Sequence, residues 1–378
     1  MSYRDKLSGL NKDLLSRIDQ TQSEIDWLRN ASGCDLLDMA TDSLNYRPIK
    51  GVAEDYSAVE FGNLSRGELG ELLSPFFVPG TQSVEDLCDQ VYLCRAFANP
   101  RLVTEKISTK VDETVEAFPA KAGDILTGKN PGDVLDPFIL AANIELISSG
   151  SLPKAIEHTI GHKILMKIED MLGHLHESTF GEMRGNFRIP EPGGKKEDKE
   201  TLNRITNPFP GADVGQVPTI DKPEAIRLFQ VKSKTGSAKG GDGTRLGQQL
   251  STLQQEYGAE TYYVSVVGNT LSGHRSRGAV VKASPQTVVL VGEAAHNELT
   301  QSEAGGELLL RAYQRAFRRA AERSGYSFAG VTKSIVATFD NEARRHGEDF
   351  ITVWLHEAID GEVSAQDSRM YRPRSVRG

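Results

Sequence analysis

The chain has 378 residues, 38% of them hydrophobic and 25% charged, with a formal net charge of −8. That is room for one large domain or two to three smaller ones with a real core. It argues against a protein that coats nucleic acid through bulk positive charge, and no apolar run of about eighteen residues is present to span a membrane. Three cysteines without a CxxC pair, and a charged N-terminal segment with no apolar leader, lead us to expect a reducing, cytoplasmic setting.

Residues 1–30 place Leu7, Leu10, Leu14, Leu15, Ile18, Ile25 and Leu28 at roughly helical spacing among charges, which predicts an amphipathic helix. Residues 31–150 read as helices broken by prolines, with apolar stripes in 83–98 and 136–148. A helix is expected from Pro153 to about Glu177. Ser151 can cap it, Pro153 suits its first turn, and Ile156, Ile160, Ile164 and Ile168 begin a wide apolar face. Residues 181–209 are polar and rich in Gly, Pro and Lys, and read as a long loop.

A compact pattern follows. There is a short segment around Asp213, then a strand over 226–234 and a Gly/Ser-rich loop (TGSAKGGDGT). The helix RLGQQLSTLQQEYG comes next, stopped by Gly258. TYYVSVVG, AVVKA and TVVLVG read as strands, and a helix over 304–325, basic in its second half, comes last. Alternation of strand and helix predicts an α/β core over 151–300. A mainly helical region, 1–150, precedes it, and a helical extension with a basic tail, 301–378, follows.

Seventeen residues separate Asp213 from Gln230, enough for a strand, a turn and a return strand that set the two side by side. Side chains alternate along a strand, so Gln230, Lys232 and Lys234 share one side and Phe229 and Val231 the other. A carboxylate from Asp213, a carbonyl from Gln230 and the backbone carbonyl of Val231 are hard oxygens of the kind Mg²⁺ prefers. Lys232 beside them can assist a water and neutralise a phosphate. His158 and His162 form HTIGH rather than HExxH, so the zinc-protease signature fails.

PGAD (Pro210–Asp213) followed by QVK (Gln230–Lys232) resembles the PD-(D/E)xK nuclease superfamily, which includes many type II restriction endonucleases. The resemblance covers about residues 153–300. It takes in the preceding helix HKILMKIEDMLGHL, where Glu169 matches the family's helix acid, and the helix and strand after the lysine. Two positions depart from the pattern. Pro210 stands three residues before Asp213, and Gln230 replaces the usual second acid. That replacement gives more weight to Glu169 or to Glu224, and Glu157 and Glu177 are rivals of Glu169 on the same helix. Lys234 is a second candidate for the catalytic lysine.

The resemblance implies a restriction-endonuclease-like mixed sheet flanked by helices, Mg²⁺ held by Asp213, Glu169, Gln230 and Val231, and hydrolysis of double-stranded DNA by a homodimer. Lys234, Lys239, Arg245 and Gln248, with His274, Arg275 and Arg277 in a basic turn, are the candidate DNA contacts. Another nuclease of the superfamily (a junction resolvase, a repair or a phage-defence enzyme) is the nearest alternative. A DNA-binding protein that never cuts is the alternative from another class.

Overall fold

The computed structural model describes residues 3–7, 12–77, 83–118, 137–189, 208–218, 225–234, 242–267, 275–302 and 304–324, with single positions between 330 and 345. Among them are thirteen α-helices and a five-stranded mixed sheet. None of those helices is long and apolar enough to cross a membrane. The chain divides into two units, Met1–Val111 with Asp170–Ala320, and Asp112–Glu169 with Ala321–Gly378.

The first unit opens with helices α1 (Tyr3–Leu7), α2 (Lys12–Asn30), α3 (Gly33–Leu44), α4 (Ala58–Phe61) and α5 (Arg66–Leu73), then α6 (Val84–Ala96) and the start of α7 (Pro100–Glu116). The leucine and isoleucine stripe of α2 is buried at Leu14, Ile18, Ile25 and Leu28. Three of these helices start with a reciprocal cap. Ser32 with Asp35, Ser57 with Glu60, and Ser65 with Glu68 each exchange side-chain and backbone hydrogen bonds. Each such box satisfies two N-terminal amide groups that the helix itself cannot.

In the second unit, α8 (Pro137–Leu146) and the first half of α9 (Leu152–Gly181) form a helical hairpin. Ser151 accepts the first α9 hydrogen bond through its carbonyl, from Ala155 N at 3.0 Å. Buried Asn143 donates to Ala155 O and Thr159 Oγ1, each at 3.1 Å, and fixes the two helices together.

The second half of α9 returns to the first unit and leads into the sheet. Its strands are β1 (Asn186–Arg188), β2 (Val214–Gln216), β3 (Arg227–Lys234), β4 (Glu260–Val267) and β5 (Val288–Val291), adjacent in chain order. β1, β2 and β3 pair antiparallel, while β3, β4 and β5 pair parallel. Parallel neighbours need a crossover. Here α10 (Asp242–Tyr257) and α11 (Arg275–Ala283) supply the two crossovers, followed by α12 (Glu293–Thr300) and α13 (Gly305–Ser324).

Two expectations are corrected here. AVVKA lies in helix α11, not in a strand. Its small and apolar positions follow helical spacing, and they pack on α10 where Gly243 and Gly247 leave no Cβ. A methyl group at Gly247 would meet Ala283 Cβ and Val280 O at 2.7 Å. That close seat outweighs the strand preference of the two valines. The stretch read as a loop from 181 contains β1, whose Phe187 ring lies over Gly215 of β2; residues 190–207 lie outside the described residues.

Register sets the two sheet faces. Leu228, Gln230 and Lys232 share one with their β4 partners Thr261, Tyr263 and Ser265. α10 covers it, with Gln254 donating to Thr261 Oγ1 at 2.6 Å. On the other face Phe229 stacks on Tyr262 at 4.5 Å, and Arg227 pairs with Glu298 of α12. A methyl group at Gly173 of α9 would reach Ser233 Oγ at 3.5 Å on that same side.

Asn186 closes the unit. Its amide donates to Phe180 O at 2.9 Å and Leu299 O at 2.7 Å, and its side-chain oxygen accepts from Gln216 Nε2 at 2.8 Å. Thr21 donates to its backbone oxygen at 3.3 Å. The arginine-rich face of α13 is mostly committed to the protein's own acids. Arg311 pairs with Glu307 at 2.8 Å, and Arg315 pairs with Asp86 at 2.7 Å and also with Asp89.

Candidate active site

The turn ahead of β2 delivers Asp213. Phe209 anchors it in the core, edge-on to Tyr257 of α10 at 5.1 Å. Gly211 follows with φ +85, a backbone conformation that disfavours any side chain. A Cβ at Gly211 would also lie 2.9 Å from Gln249 of α10, so the turn is pressed under that helix.

Asp213 then docks on the central strand. Its backbone N–H donates to Phe229 O at 2.8 Å, and its carbonyl accepts from Ile189 N at 3.1 Å. Its Oδ2 accepts from Val231 N at 2.8 Å and from the Gln230 side-chain amide. Gln230 is buried, and this bond keeps its amide from being stranded in the core. Lys232, two residues on, is half-buried on the same face of β3 and registers with Ser265.

This group stands toward the C-terminal edge of the parallel strands. In open α/β sheets ligands bind at that edge. α10 and α11 both begin there and start side by side, since a Cβ on Gly243 would meet Ser276 O at 2.7 Å. Two adjacent helix N-termini bring partial positive charge to one place. Arg245 lies exposed in the first turns of α10, with Gln248 exposed one turn on. Arg275 opens α11, and Arg277 lies half-buried in its first turn.

The structure therefore brings Asp213, Gln230, Val231 and Lys232 together, with Arg245, Gln248, Arg275 and Arg277 on the two helices that start at that edge. Lys234 closes β3. Glu169 is exposed on the first half of α9, in the second unit. Glu157 is likewise exposed there, and Glu177 is half-buried on the second half. Lys239, His274 and Glu224 lie outside the described residues.

Reading the sequence misses the part played by Val231 N–H, which binds the aspartate where the carbonyl of that residue is the expected ligand. It also misses Gln249; the glycine of PGAD is the signal that some group passes close to the turn. Among the described residues no group of three or more His, Cys, Asp or Glu is placed to hold a metal ion. Neither a family model nor a curated protein matches this chain.

Proposed function

We propose that the chain is a metal-dependent DNA endonuclease of the PD-(D/E)xK type, acting as a homodimer on double-stranded DNA in the manner of a site-specific type II restriction enzyme. The observation that carries this is the docking of the Asp213 carboxylate against Gln230 and Val231 of the central strand, with Lys232 beside them on the same face. The order α9, β1, β2, β3, α10, β4, with the carboxylate at the head of β2 and the lysine on β3, supports it.

The donor set fits Mg²⁺. Asp213 offers a carboxylate, and Gln230 and Val231 offer neutral oxygens; magnesium commonly takes one or two carboxylates and leaves the rest of its shell to water and phosphate. When bound, the ion would polarise a phosphoryl oxygen and acidify a water. The chain's own residues do the remaining work. Asp213 holds the site on the strand. Lys232 neutralises charge that develops on the phosphate and holds a proton near the attacking side. The N-termini of α10 and α11 favour the phosphate itself. Water oxygen bonds to phosphorus, the bond to the leaving sugar oxygen breaks, and that oxygen takes up a proton. A two-fold dimer carries one such site to each strand.

The test is incubation of purified protein with long duplex DNA in Mg²⁺, beside Asp213→Ala and Lys232→Ala. Discrete fragments lost in both variants are expected. A smear lost in the variants points to a non-specific or structure-directed nuclease. A second reading, a DNA-binding protein that never cuts, is favoured by one observation: the Gln230 amide already occupies Asp213 Oδ2. That reading predicts DNA binding in EDTA and no cleavage in Mg²⁺ or Mn²⁺.

A further inference from the structure

The two edges of the sheet are treated differently. β1 is covered. Thr21 of α2 donates to Asn186 O at 3.3 Å, and a Cβ on Gly181, at the end of α9, would lie 2.7 Å from the Arg188 Cβ. β5 (Val288–Val291) is the opposite edge and pairs only with β4. None of its four residues is buried, and Val288 is 43% exposed. Its sequence, VVLV, carries none of the devices that blunt an edge: no charge, no proline and no bulge in the register.

The ladder to β4 decides which backbone groups point outward. Gly292 N donates to Ser265 O at 2.9 Å. Bonding to one neighbour alternates along a strand, so Leu290 and Val288 also face β4. Val289 and Val291 therefore aim their N–H and C=O groups away from the sheet, and among the described residues nothing takes them up.

That edge is complementary to itself. Turned about a two-fold axis, Val289 meets Val291 of a second copy, and Val291 meets the Val289 of that copy. Each pair exchanges two hydrogen bonds, so every outward group is used. Leu290 then falls on the axis against its own counterpart, in the close type of antiparallel pair, about 4.5 Å between Cα atoms. Setting Val289 on Val289 instead carries Val291 to Thr287, whose N–H already donates to Ser284 O at 3.1 Å.

Charge agrees with the antiparallel sense. Lys282, in the last turn of α11, is exposed ahead of β5, and Glu293, the first residue of α12, is exposed just after it. Neither has an ion pair among the described residues. Antiparallel pairing brings the start of one β5 to the end of the other, and so Lys282 toward Glu293 of the second copy, twice over. Parallel pairing would gather like charges.

We propose that β5 is an interface between two copies of this chain, joined antiparallel, edge to edge, into one continuous sheet with Leu290 at the two-fold axis. Such a contact is isologous and closed. With β1 covered at the far edges, the assembly stops at two. The proposal goes beyond the nuclease reading, which calls for a two-fold dimer without naming its surface, and it holds whether or not the chain cuts DNA.

The experiment is sedimentation velocity of the full chain without DNA or metal, from about 1 to about 100 µM. Hydrogen exchange of the 286–293 segment and thermal melts are read beside it. Val289→Pro removes an outward donor and spares the β4 ladder, the place where a sheet tolerates proline. Lys282→Glu and Glu293→Lys each oppose like charges, and the double variant restores opposite ones. Wild type is expected to dimerise, with the 286–293 amides better protected as concentration rises. Val289→Pro should weaken the dimer at least about ten-fold. Each single charge variant should weaken it, and the double variant should regain it. If Val289→Pro does not fold, the charge variants carry the test. A wild type that stays monomeric throughout overturns the proposal and leaves the edge to a strand of a different protein. A dimer that the folded variants leave unchanged overturns it as well. Cleavage of duplex DNA in Mg²⁺ is assayed separately. A dimer without cleavage removes the nuclease reading alone, and cleavage by a monomeric wild type removes the interface alone.

Discussion

Val231 N–H points at Asp213 Oδ2 across 2.8 Å, one step beyond the Asp213 N–H that donates to Phe229 O. The aspartate side chain thus accepts the strand hydrogen bond that follows the last backbone one between β2 and β3. It also accepts the Gln230 amide. Asp213 consequently has a structural task as well as the proposed chemical one, and an alanine variant confounds the two. Leaving buried donors without an acceptor costs about 1–3 kcal/mol each.

Asp213→Asn separates them. The asparagine oxygen still accepts from Val231, so stability should stay within about 1 kcal/mol of wild type in urea unfolding. Under the proposed function, cleavage should fall at least about a hundred-fold, because the charge proposed to attract the metal is gone. Retained cleavage in this variant would remove Asp213 from the chemistry.

Gln230→Glu restores a second acid against Asp213. Two carboxylates in contact repel, and the amide donor is lost. Without metal the variant should melt several degrees below wild type. Added Mg²⁺ should raise its melting temperature more than it raises that of wild type, since a ligand that binds only the folded state stabilises it in proportion to its affinity. Equal Mg²⁺ shifts in the two proteins would place the metal elsewhere.

Gly247→Ala tests the helix seat. Alanine gains about 1 kcal/mol over glycine in a helix interior. Here the added methyl meets Ala283 Cβ and the Val280 backbone oxygen at 2.7 Å. Overpacking of that kind costs about 1–3 kcal/mol, and backbone on the far side cannot swing away. The net expectation is a loss of stability in denaturant unfolding, whereas alanine at the open, exposed Gly278 should cause none.

Acid should destabilise the first unit through His176 and His296. Burial, with His296 nearby, lowers the His176 pKa to about 4, and burial lowers that of His296. His176 Nδ1 lies 3.2 Å from the Tyr313 hydroxyl, and His296 Nε2 lies 3.0 Å from Val266 O. The His176 ring stays neutral in the fold down to about its lowered pKa, and His296 takes its proton at lower pH than it does in the unfolded chain, which binds protons below about pH 6.5. Stability therefore drops from about 6.5 downward, and the His176 share levels off near its folded pKa. That share between pH 7 and 5 is about 2 kcal/mol. His176→Phe should unfold with a visibly flatter dependence over the same range.

Much of this architecture is legible in the residues. The α2 stripe, the start of α9, the apolar strand around Gln230 and the stop at Gly258 all follow from spacing and residue type. Asp213 and Gln230 are readable as neighbours because a hairpin-length segment joins them. Two things are not readable locally. α11 carries valines that favour a strand in isolation, and only the bare glycines of α10, more than thirty positions earlier, make it a helix. β1 is three residues long, and its one apolar anchor, Phe187, acquires meaning only opposite Gly215. The caps at Ser32, Ser57 and Ser65 were open to inspection, since each serine precedes an acid by three positions.

Asn186, through its backbone and side chain together, bears on how the chain comes to be folded. Its partners are delivered in sequence during synthesis: Thr21 first, Phe180 and Gln216 well after it, Leu299 last of the four. The first unit is also interrupted by the whole of 112–169. The apolar stripe of α2 thus leaves the ribosome long before the sheet it will rest on exists. Contacts this far apart in the chain carry a large loop-closure cost, so closure of the unit waits for its last-made partners.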